Sequence, residues 1–268
     1  RMNTSWDTSN TRPAISLQAA RQLNQITSEF YKQQALSFSA TRQLPWQGWQ
    51  SCLDAMPALM AVEKLLVLDM GCGNLRFARF LTGQTLVHPG AYYAVDNCEP
   101  LVHSTEVNAQ CSFIKLDIIT SLLDGTLAAQ LEVPLCDVVV AFGFMHHVPG
   151  RQNRSQLLQL LVEKTKPKGY LCVSFWQFMN SVKLAGKARQ TTEQALQQLQ
   201  LDPSVLEEND YLIGWQNQGH TWRYCHHTTQ NELKDLVASL GTQVRICAQF
   251  SADGKENNLN RYLVLQRL

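Results

Sequence analysis

A strand-like run that ends in a glycine-rich turn, at residues 65–77 (LLVLDMGCGNLRF), most constrains what this chain can fold into. The apolar residues 65–68 have the length of a strand buried on both faces of a parallel sheet. Asp69 ends the run, and Gly71 and Gly73 follow, where the backbone must turn tightly or come close to a ligand. The next residues favour a helix. A nucleotide-like ligand could lie on such a turn, although similar turns also occur in ordinary α/β connections.

Two further acids end the next two strand-like runs. Asp96 closes AYYAVD, and Asp117 closes SFIKLD. Ligands of doubly wound sheets bind outside the carboxyl ends of the strands, so we expect both acids near the glycine turn, with Asp96 suited to ribose hydroxyls. The separation of Asp69 from Asp96 is a little longer than the roughly 20 residues of the dinucleotide fingerprint, so the pattern is not a clean dinucleotide site. The alternative is that the acids only cap the ends of strands or turns.

Strands and helices alternate through the middle of the chain, which predicts an α/β fold with a mostly parallel sheet and helices on both faces. We predict seven strands, of which three end at Asp69, Asp96 and Asp117 and four span residues 137–142, 170–176, 244–250 and 261–266. Helices are predicted to begin at Asn74, Glu99 and Ser121, and to span residues 152–164 and 228–240. A turn at residues 166–169 precedes the fifth strand.

The flanking segments are predicted to cover this sheet. Residues 13–38 carry apolar side chains at helical spacing, and residues 50–63 form a second helix. Between them, residues 38–49 (FSATRQLPWQGW) form a loop that folds over something. We divide the chain into an N-terminal helical cap with a lid segment at residues 1–62 and a core at residues 63–268, with an insertion after the fifth strand at residues 179–224.

Composition excludes several classes of protein. Hydrophobic residues are 45% and charged residues 17% of the 268 residues, and the formal net charge is +1. These values favour one folded domain and argue against disorder and against a strongly basic nucleic-acid wrapper. No run of about 18 apolar residues is present, as a membrane span would need, and the polar start RMNTSWDTSN is unlike a secretory signal. We therefore expect a soluble, cytoplasmic protein with no membrane partner.

The eight cysteines are scattered and include no C-x-x-C pair. Several of them fall in apolar strand-like runs, as reduced buried thiols do, which again favours the cytoplasm over a disulfide framework. Cys225, His226 and His227 could suggest a metal site, but no second pair at ligand spacing accompanies them. We predict a structural use for these three residues and no metal.

The ordered motifs resemble those of the class I S-adenosylmethionine-dependent methyltransferases, which have a Rossmann-like fold. The resemblance rests on LDMGCGN, on the acids Asp96 and Asp117, and on the fourth-strand segment CDVVVAFGFMHHV. The resemblance implies S-adenosylmethionine as cofactor. The residues it implies for cofactor binding are Tyr31, Arg42, Trp46, Asp69, Gly71, Cys72, Gly73, Asn74, Asp96, Asn97, Asp117, Ile118, Phe142, Gly143 and His146.

Further segments resemble the eukaryotic tRNA wobble-uridine carboxymethyl methyltransferases. They are EFYKQQALSFSATRQLPW, AFGFMHHV, VSFWQF, DYLIGW and RYCHHTTQNELKDLV. This resemblance implies tRNA as partner and the carboxylate of a 5-carboxymethyluridine as acceptor, and it leaves open a small activating protein partner. The chain departs from the family at Leu75, where the family has a glycine that we expect to govern helix packing. It departs again at His227 and Thr228 and in KENNLNRYL, on the acceptor side.

The acceptor decides which residues are catalytic. A carboxylate is already an anion at neutral pH, so a positioned cation and exclusion of water suffice, and Arg42 is our first choice. An amine or hydroxyl acceptor would instead need a base, for which His146 and His147 are candidates. A small-molecule carboxyl, O- or N-methyltransferase and, because of Leu75, a non-catalytic interaction module therefore remain as alternatives. Trp46 and Trp176 are candidates for stacking, and Lys183 and Lys187 either face phosphate or are solvated.

Overall fold

A seven-stranded sheet forms the centre of the protein. The computed structural model describes residues 14–84, 87, 89–103, 110–216 and 218–268. Its strands are β1 (Leu65–Met70), β2 (Pro89–Asp96), β3 (Cys111–Lys115), β4 (Cys136–Ala141), β5 (Thr165–Trp176), β6 (Asp210–Trp215), β7 (Gln218–His226), β8 (Val244–Ala252) and β9 (Asn260–Arg267). The sheet order is β3-β2-β1-β4-β5-β9-β8, while β6 and β7 form a separate antiparallel hairpin. The first five strands are parallel, and β9 is antiparallel to β5 and β8. The predicted fold class is confirmed.

Helices cover both faces of the sheet. They are α1 (Leu17–Ala40), α2 (Gly48–Asp54), α3 (Arg76–Thr82), α4 (Glu99–His103), α5 (Ile118–Leu123), α6 (Leu127–Gln130), α7 (Arg151–Glu163), α8 (Val182–Gln198) and α9 (Gln230–Ala238). Short 3-10 turns occur at Pro57–Ala61, Met145–His147, Phe178–Asn180, Pro203–Val205 and Gly241–Gln243. No helix of the described residues is both long and apolar enough to cross a membrane.

The side chains of β1 alternate between two apolar clusters, one on each face of the sheet. Leu65 and Val67 belong to the cluster under α2 and α3, whereas Leu68 and Met70 belong to the cluster under α5, α7 and α9. Successive residues of a strand point to opposite faces, so a strand covered on both sides must be apolar throughout. This explains the uninterrupted run that begins at residue 65.

Three predicted boundaries were wrong, each for a local reason. The helix predicted over residues 50–63 ends at Asp54 and is followed by a 3-10 turn, because Pro57 disfavours helix in the residue before it. The helix predicted from Ser121 begins at Ile118, because Asp117 caps it by accepting a hydrogen bond from the Thr120 N–H at 2.9 Å. The turn at residues 166–169 is instead an irregularity inside β5, where the register with β4 shifts.

The N-terminal helix and the insertion form one layer. Leu23 of α1 packs against Leu212 and Tyr224 of the β6–β7 hairpin, and α8 packs on β6. The Tyr224 N–H donates to the Thr27 hydroxyl at 2.9 Å, so the hairpin is bonded to α1 as well as packed on it. The insertion is therefore a structured part of the cover over the sheet.

A buried ionic network joins this layer to the core. Arg154 of α7 forms an ion pair with Glu232 of α9 at 3.0 Å, and Arg154 is only 1% exposed. His226 of β7 lies 2.6 Å from Asp210 through Nδ1 and 3.2 Å from Glu232 through Nε2. Carboxylates accept hydrogen bonds, so both ring nitrogens must donate, and His226 is an imidazolium.

Candidate active site

The glycine turn after β1 forms an open cradle. Gly71 has φ +76° and Gly73 φ +53°, which favour glycine. A Cβ atom on Gly71 would lie 2.4 Å from the Phe144 ring, whereas a Cβ on Gly73 would meet no heavy atom within 4 Å and would project into the open space of the cradle. Glycine at residue 73 thus keeps free the space that a ligand would fill.

Leu75 lies at the end of the same turn with φ +64°, in the left-handed region, just before α3. The expectation that glycine at this position mainly governs helix packing is therefore incomplete. The backbone itself favours glycine here, and a leucine in this conformation costs about 1–2 kcal/mol. Its side chain is 1% exposed within the cluster under α3, so buried contacts offset that cost.

The two later acids lie at the carboxyl ends of β2 and β3, as predicted. Asp96 accepts hydrogen bonds from the backbone N–H groups of Gly73, at 2.9 Å, and Cys98, at 3.0 Å. Asp117 accepts from Asn97 at 3.5 Å in addition to capping α5. Burial raises the pKa of Asp96, which would favour a ligand that donates hydrogen bonds or brings positive charge. Asp96 and Asp117 can therefore cap the chain locally and also face a ligand in the cavity.

Asp69 does not cap the turn. It is 3% exposed and accepts a hydrogen bond from the Tyr92 hydroxyl of β2. Burial raises the pKa of Asp69 to about 7, with a smaller contribution from the charge of Asp96, while the bond from Tyr92 acts in the opposite sense. A cation bound beside Asp69 would stabilise the ionised carboxylate and lower this pKa.

The loop between α1 and α2 folds onto the glycine turn. The Asn74 side chain donates to the Arg42 carbonyl at 2.7 Å, and Arg76 donates to the Leu44 carbonyl at 3.1 Å. The Trp46 ring lies 5.2 Å from the guanidinium of Arg76. The loop predicted to fold over something thus covers the cradle.

The paired histidines follow β4 and have different surroundings. His147 Nδ1 lies 2.9 Å from the Tyr224 carbonyl and must donate to it, so Nε2 accepts from the Tyr31 hydroxyl, also at 2.9 Å. Burial lowers the pKa of His147 to about 4 and that of His146 well below its usual range. His146 Nδ1 is buried with no partner among the described residues, and its ring lies 5.3 Å from that of Trp176. Both rings are therefore neutral at pH 7.

Two arginines share an aromatic enclosure beyond the histidines. The Arg42 guanidinium lies 3.5 Å from the ring centre of Phe38 and 5.0 Å from that of Trp215. Arg223 of β7 lies 5.4 Å from Phe38 and 5.8 Å from Trp215. Burial and the nearby charge of Arg223 lower the pKa of Arg42 to about 9, which leaves it charged at neutral pH.

The glycine turn, the three acids, the paired histidines and the two arginines line one cavity of about 710 Å³. Its wall includes each of the fifteen residues predicted for the cofactor, together with His147 and Trp176, although their individual roles stay predictions. Lys183 and Lys187 lie on α8 outside this wall. Sequence reasoning did not assign Phe144, Ser174 or Arg223, which also line it. A lone basic residue in the apolar run TWRYC was the available signal for Arg223.

The three residues considered for a metal site, Cys225, His226 and His227, do not form one group of potential ligands. Cys225 instead lies with His146 and His147, whose potential ligand atoms are within 4.8 Å of one another, whereas His226 belongs to the ionic network. Both ring nitrogens of His147 are already hydrogen-bonded, and the charges of Arg42 and Arg223 act against a cation. The chemistry of this grouping therefore favours packing over metal binding.

Fold and site together define a class I S-adenosylmethionine-dependent methyltransferase. Residues 68–173 match the family model described as "Methyltransferase domain", which covers β1 to β5. The structure of DhpI in complex with SAH has a similar fold, with a TM-score of 0.57 and 14% identity over 92% of this chain and 98% of that one. The predicted enzyme class and cofactor are confirmed. The open space at Gly73, the acids Asp69, Asp96 and Asp117, and the aromatic cover fit that cofactor.

Two curated proteins are similar in sequence. A protein of Encephalitozoon cuniculi that is named as a methyltransferase is 23% identical over 219 residues, which are 80% of this chain and 86% of that protein. The tRNA (carboxymethyluridine(34)-5-O)-methyltransferase ALKBH8 of Macaca fascicularis is 24% identical over 164 residues. That match covers 61% of this chain and only 22% of ALKBH8.

Proposed function

We propose that this methyltransferase acts on a carboxylate, and that its acceptor is the 5-carboxymethyl group of a modified wobble uridine in tRNA. The observation that carries the proposal is the Arg42 guanidinium, which lies in the same cavity as the glycine cradle and has no carboxylate within ion-pair distance among the described residues. A charged guanidinium without a counter-ion is suited to an anionic acceptor.

The histidines support the same class of acceptor. A general base works best with a pKa near the operating pH. His147 has both nitrogens occupied, and burial lowers the pKa values of His146 and His147 far below neutrality. An amine or hydroxyl acceptor would need such a base, whereas a carboxylate does not. We therefore favour carboxyl methylation over the alternatives with O- or N-acceptors.

Support for tRNA comes from the aromatic enclosure and from similarity. Phe38, Trp176 and Trp215 surround the arginines, and unstacked bases bind on aromatic side chains of this kind. The segments FSATR, DYLIGW and RYCHH, which resemble the wobble-uridine enzymes, provide Arg42, Trp215 and Arg223. The similarity to ALKBH8 points to the same acceptor.

The residues of the chain would divide the work between the two ends of the cavity. The bound cofactor supplies a methyl group on a positively charged sulfur. Gly71, Gly73, Asp96 and Asp117 would hold it, and Arg42 would hold the acceptor carboxylate in line with the methyl carbon. The α1–α2 loop is hydrogen-bonded to the glycine turn and would exclude water from it when the ligands are bound, which would strengthen the ionic contacts inside.

Labelled cofactor tests the proposal. The enzyme is incubated with tRNA that carries 5-carboxymethyluridine, with the same tRNA carrying 5-carbamoylmethyluridine or unmodified uridine, and with a metabolite extract. We expect label only in the first RNA, as a base-labile methyl ester. Label confined to the metabolite fraction would contradict the tRNA assignment and favour a small-molecule enzyme. Absence of label in every fraction would favour the non-catalytic alternative, and a supplied small partner protein controls for a missing activator.

A further inference from the structure

Arg223 is a buried charge without a counter-ion. Its side chain is 4% exposed, and its Nε atom has no hydrogen-bond partner. Across the described ranges no carboxylate lies within ion-pair distance of its guanidinium. Four aromatic rings surround it instead, with centres 5.1 to 5.8 Å away, in Phe30, Phe38, Trp176 and Trp215. Ring faces attract a cation, but they accept none of its five N–H groups as a carboxylate would.

Arg42 makes this arrangement more costly for the free protein. Both guanidiniums lie against Phe38 and Trp215, so two like charges occupy one enclosure of low polarity. Buried charges are ordinarily paired, and removing water from an unpaired one is expensive. Both residues line the cavity, so an anion that enters it can reach both. The arrangement therefore favours a ligand that brings negative charge.

We propose that Arg223 and Arg42 form a two-sided clamp for the acceptor carboxylate, one guanidinium for each oxygen, and that this clamp rejects an uncharged carboxamide of the same shape. This inference rests on the proposed function, which it deepens by assigning Arg223. The two arginines come from separate covering segments, Arg42 from the α1–α2 loop and Arg223 from the β6–β7 hairpin. The insertion thereby contributes directly to acceptor specificity.

The clamp also distinguishes substrate from product. In the transfer, a carboxylate oxygen forms a bond to the methyl carbon, the carbon–sulfur bond breaks, and its electron pair stays on the sulfur. No proton moves. The carboxylate loses its negative charge and the sulfonium its positive charge, so the product is a neutral ester. Two guanidiniums bind such an ester more weakly than the carboxylate, which favours product release.

Tryptophan fluorescence measures the clamp directly, because Trp176 and Trp215 lie beside Arg223. The wild-type protein is titrated with the nucleosides 5-carboxymethyluridine and 5-carbamoylmethyluridine. We expect the carboxylate to bind at least about tenfold more tightly than the amide. Arg223→Met should reduce this preference to what Arg42 alone provides, and Arg223→Lys should reduce it less because the charge is kept. If the wild type binds both nucleosides with equal affinity, or binds neither of them, the proposal is overturned.

Thermal unfolding separates a ligand-binding role from a structural one. Arg223→Met removes an unpaired charge from an aromatic enclosure, so we expect an equal or higher Tm together with the reduced preference for the carboxylate. The matched control is Arg189→Met, which removes an exposed arginine of α8 and should change neither property. An Arg223→Met protein with a lowered Tm and an undiminished preference for the carboxylate would show a structural role and overturn the clamp.

Methyl transfer to the modified tRNA distinguishes a failure of the clamp from a failure of the proposed function. If the wild type methylates the carboxylate, Arg223→Met should lower kcat/KM by about 100-fold. The cofactor Kd should stay unchanged, because the contacts of Arg223 are with aromatic rings of the acceptor end and not with the glycine turn. An unchanged kcat/KM would sink the clamp and leave the proposed function standing. A wild type that prefers the carboxylate nucleoside yet methylates no RNA would support the clamp and refute the tRNA acceptor.

Discussion

At the scale of single residues, the cavity wall carries ionisable groups whose protonation is set by burial. Asp69 titrates near neutrality, His146 and His147 are neutral, and Arg42 stays charged. Each shift has the same first cause, because burial disfavours whichever form carries charge. The pH dependence of ligand binding should therefore be more informative for this enzyme than that of its chemical step.

Cofactor binding should depend on the ionisation of Asp69. Burial raises its pKa to about 7 in the free protein, so the protonated form dominates below that pH. A cationic cofactor needs the ionised form, and its affinity should fall with decreasing pH, approaching about tenfold per pH unit below pH 7. Calorimetry between pH 5.5 and pH 7.5 measures this slope. Asp69→Asn should bind more weakly with a flat profile, and a slope that persists in this variant would assign the titration to another group.

Leu75 tests whether packing or backbone strain dominates at the end of the glycine turn. Removing its buried side chain should cost about 2–5 kcal/mol, more than the strain of about 1–2 kcal/mol that glycine would relieve. We expect both Leu75→Gly and Leu75→Ala to lower the free energy of unfolding. Glycine should be the milder change by about 1 kcal/mol, the reverse of its usual order in helices and strands. Denaturant unfolding of both variants decides the matter, and the opposite order would contradict the left-handed conformation.

At the scale of elements, the ionic network determines how the β6–β7 hairpin is held to α7 and α9. Burial alone would lower the pKa of His226, but its hydrogen bonds to Asp210 and Glu232 raise it above the usual range. Burial would raise the pKa of Glu232, but His226 and Arg154 lower it to about 2. The hairpin that positions Arg223 thus depends on a protonated histidine.

The contribution of this network to stability should be largest in mildly acidic solution. The contribution of His226 is complete below its unfolded pKa of about 6.5 and is lost as the pH rises through its higher folded pKa. The contribution of Glu232 is complete above about 4.5 and is lost as the pH falls towards 2. The difference in free energy of unfolding between the wild type and His226→Gln, measured from pH 3 to pH 9, should therefore be largest between about 4.5 and 6.5. Taking the difference removes the common contribution of His146 and His147, whose lowered pKa values reduce stability in both proteins below about pH 6.5. A difference that does not change with pH would refute the role of His226.

At the scale of the whole molecule, binding of tRNA should show the signature of phosphate contacts. The formal net charge of +1 leaves little general attraction for RNA, so contacts must come from local groups. We expect the logarithm of the tRNA affinity to fall with the logarithm of the salt concentration, with a slope of about −2 or steeper. The free carboxylate nucleoside should respond far less, because its clamp is buried. Filter binding between 50 and 200 mM salt compares the salt dependence of tRNA binding with that of nucleoside binding. Equal slopes would contradict a phosphate interface.

The alternating core was predictable because its signals are local. The apolar run of β1, the glycines after it and the acids after β2 and β3 are each legible within a few residues. Contacts between distant segments were not predictable in this way. Arg42 and Arg223 come together only because the insertion hairpin packs on α1, and the tautomer of His147 is set by the carbonyl of Tyr224. No pattern along the chain encodes these partners.

The bond between the Tyr224 N–H and the Thr27 hydroxyl, which spans 197 residues, also fixes an order of events during synthesis. At about 5–20 residues per second, α1 leaves the ribosome roughly 10–40 s before the hairpin that it packs against. The apolar face around Leu23 therefore lacks its packing partner until that hairpin has been made. The acceptor end of the cavity consequently cannot form before β7 has been made, and a nascent chain halted before β7 would present the glycine cradle and Arg42 without the second guanidinium.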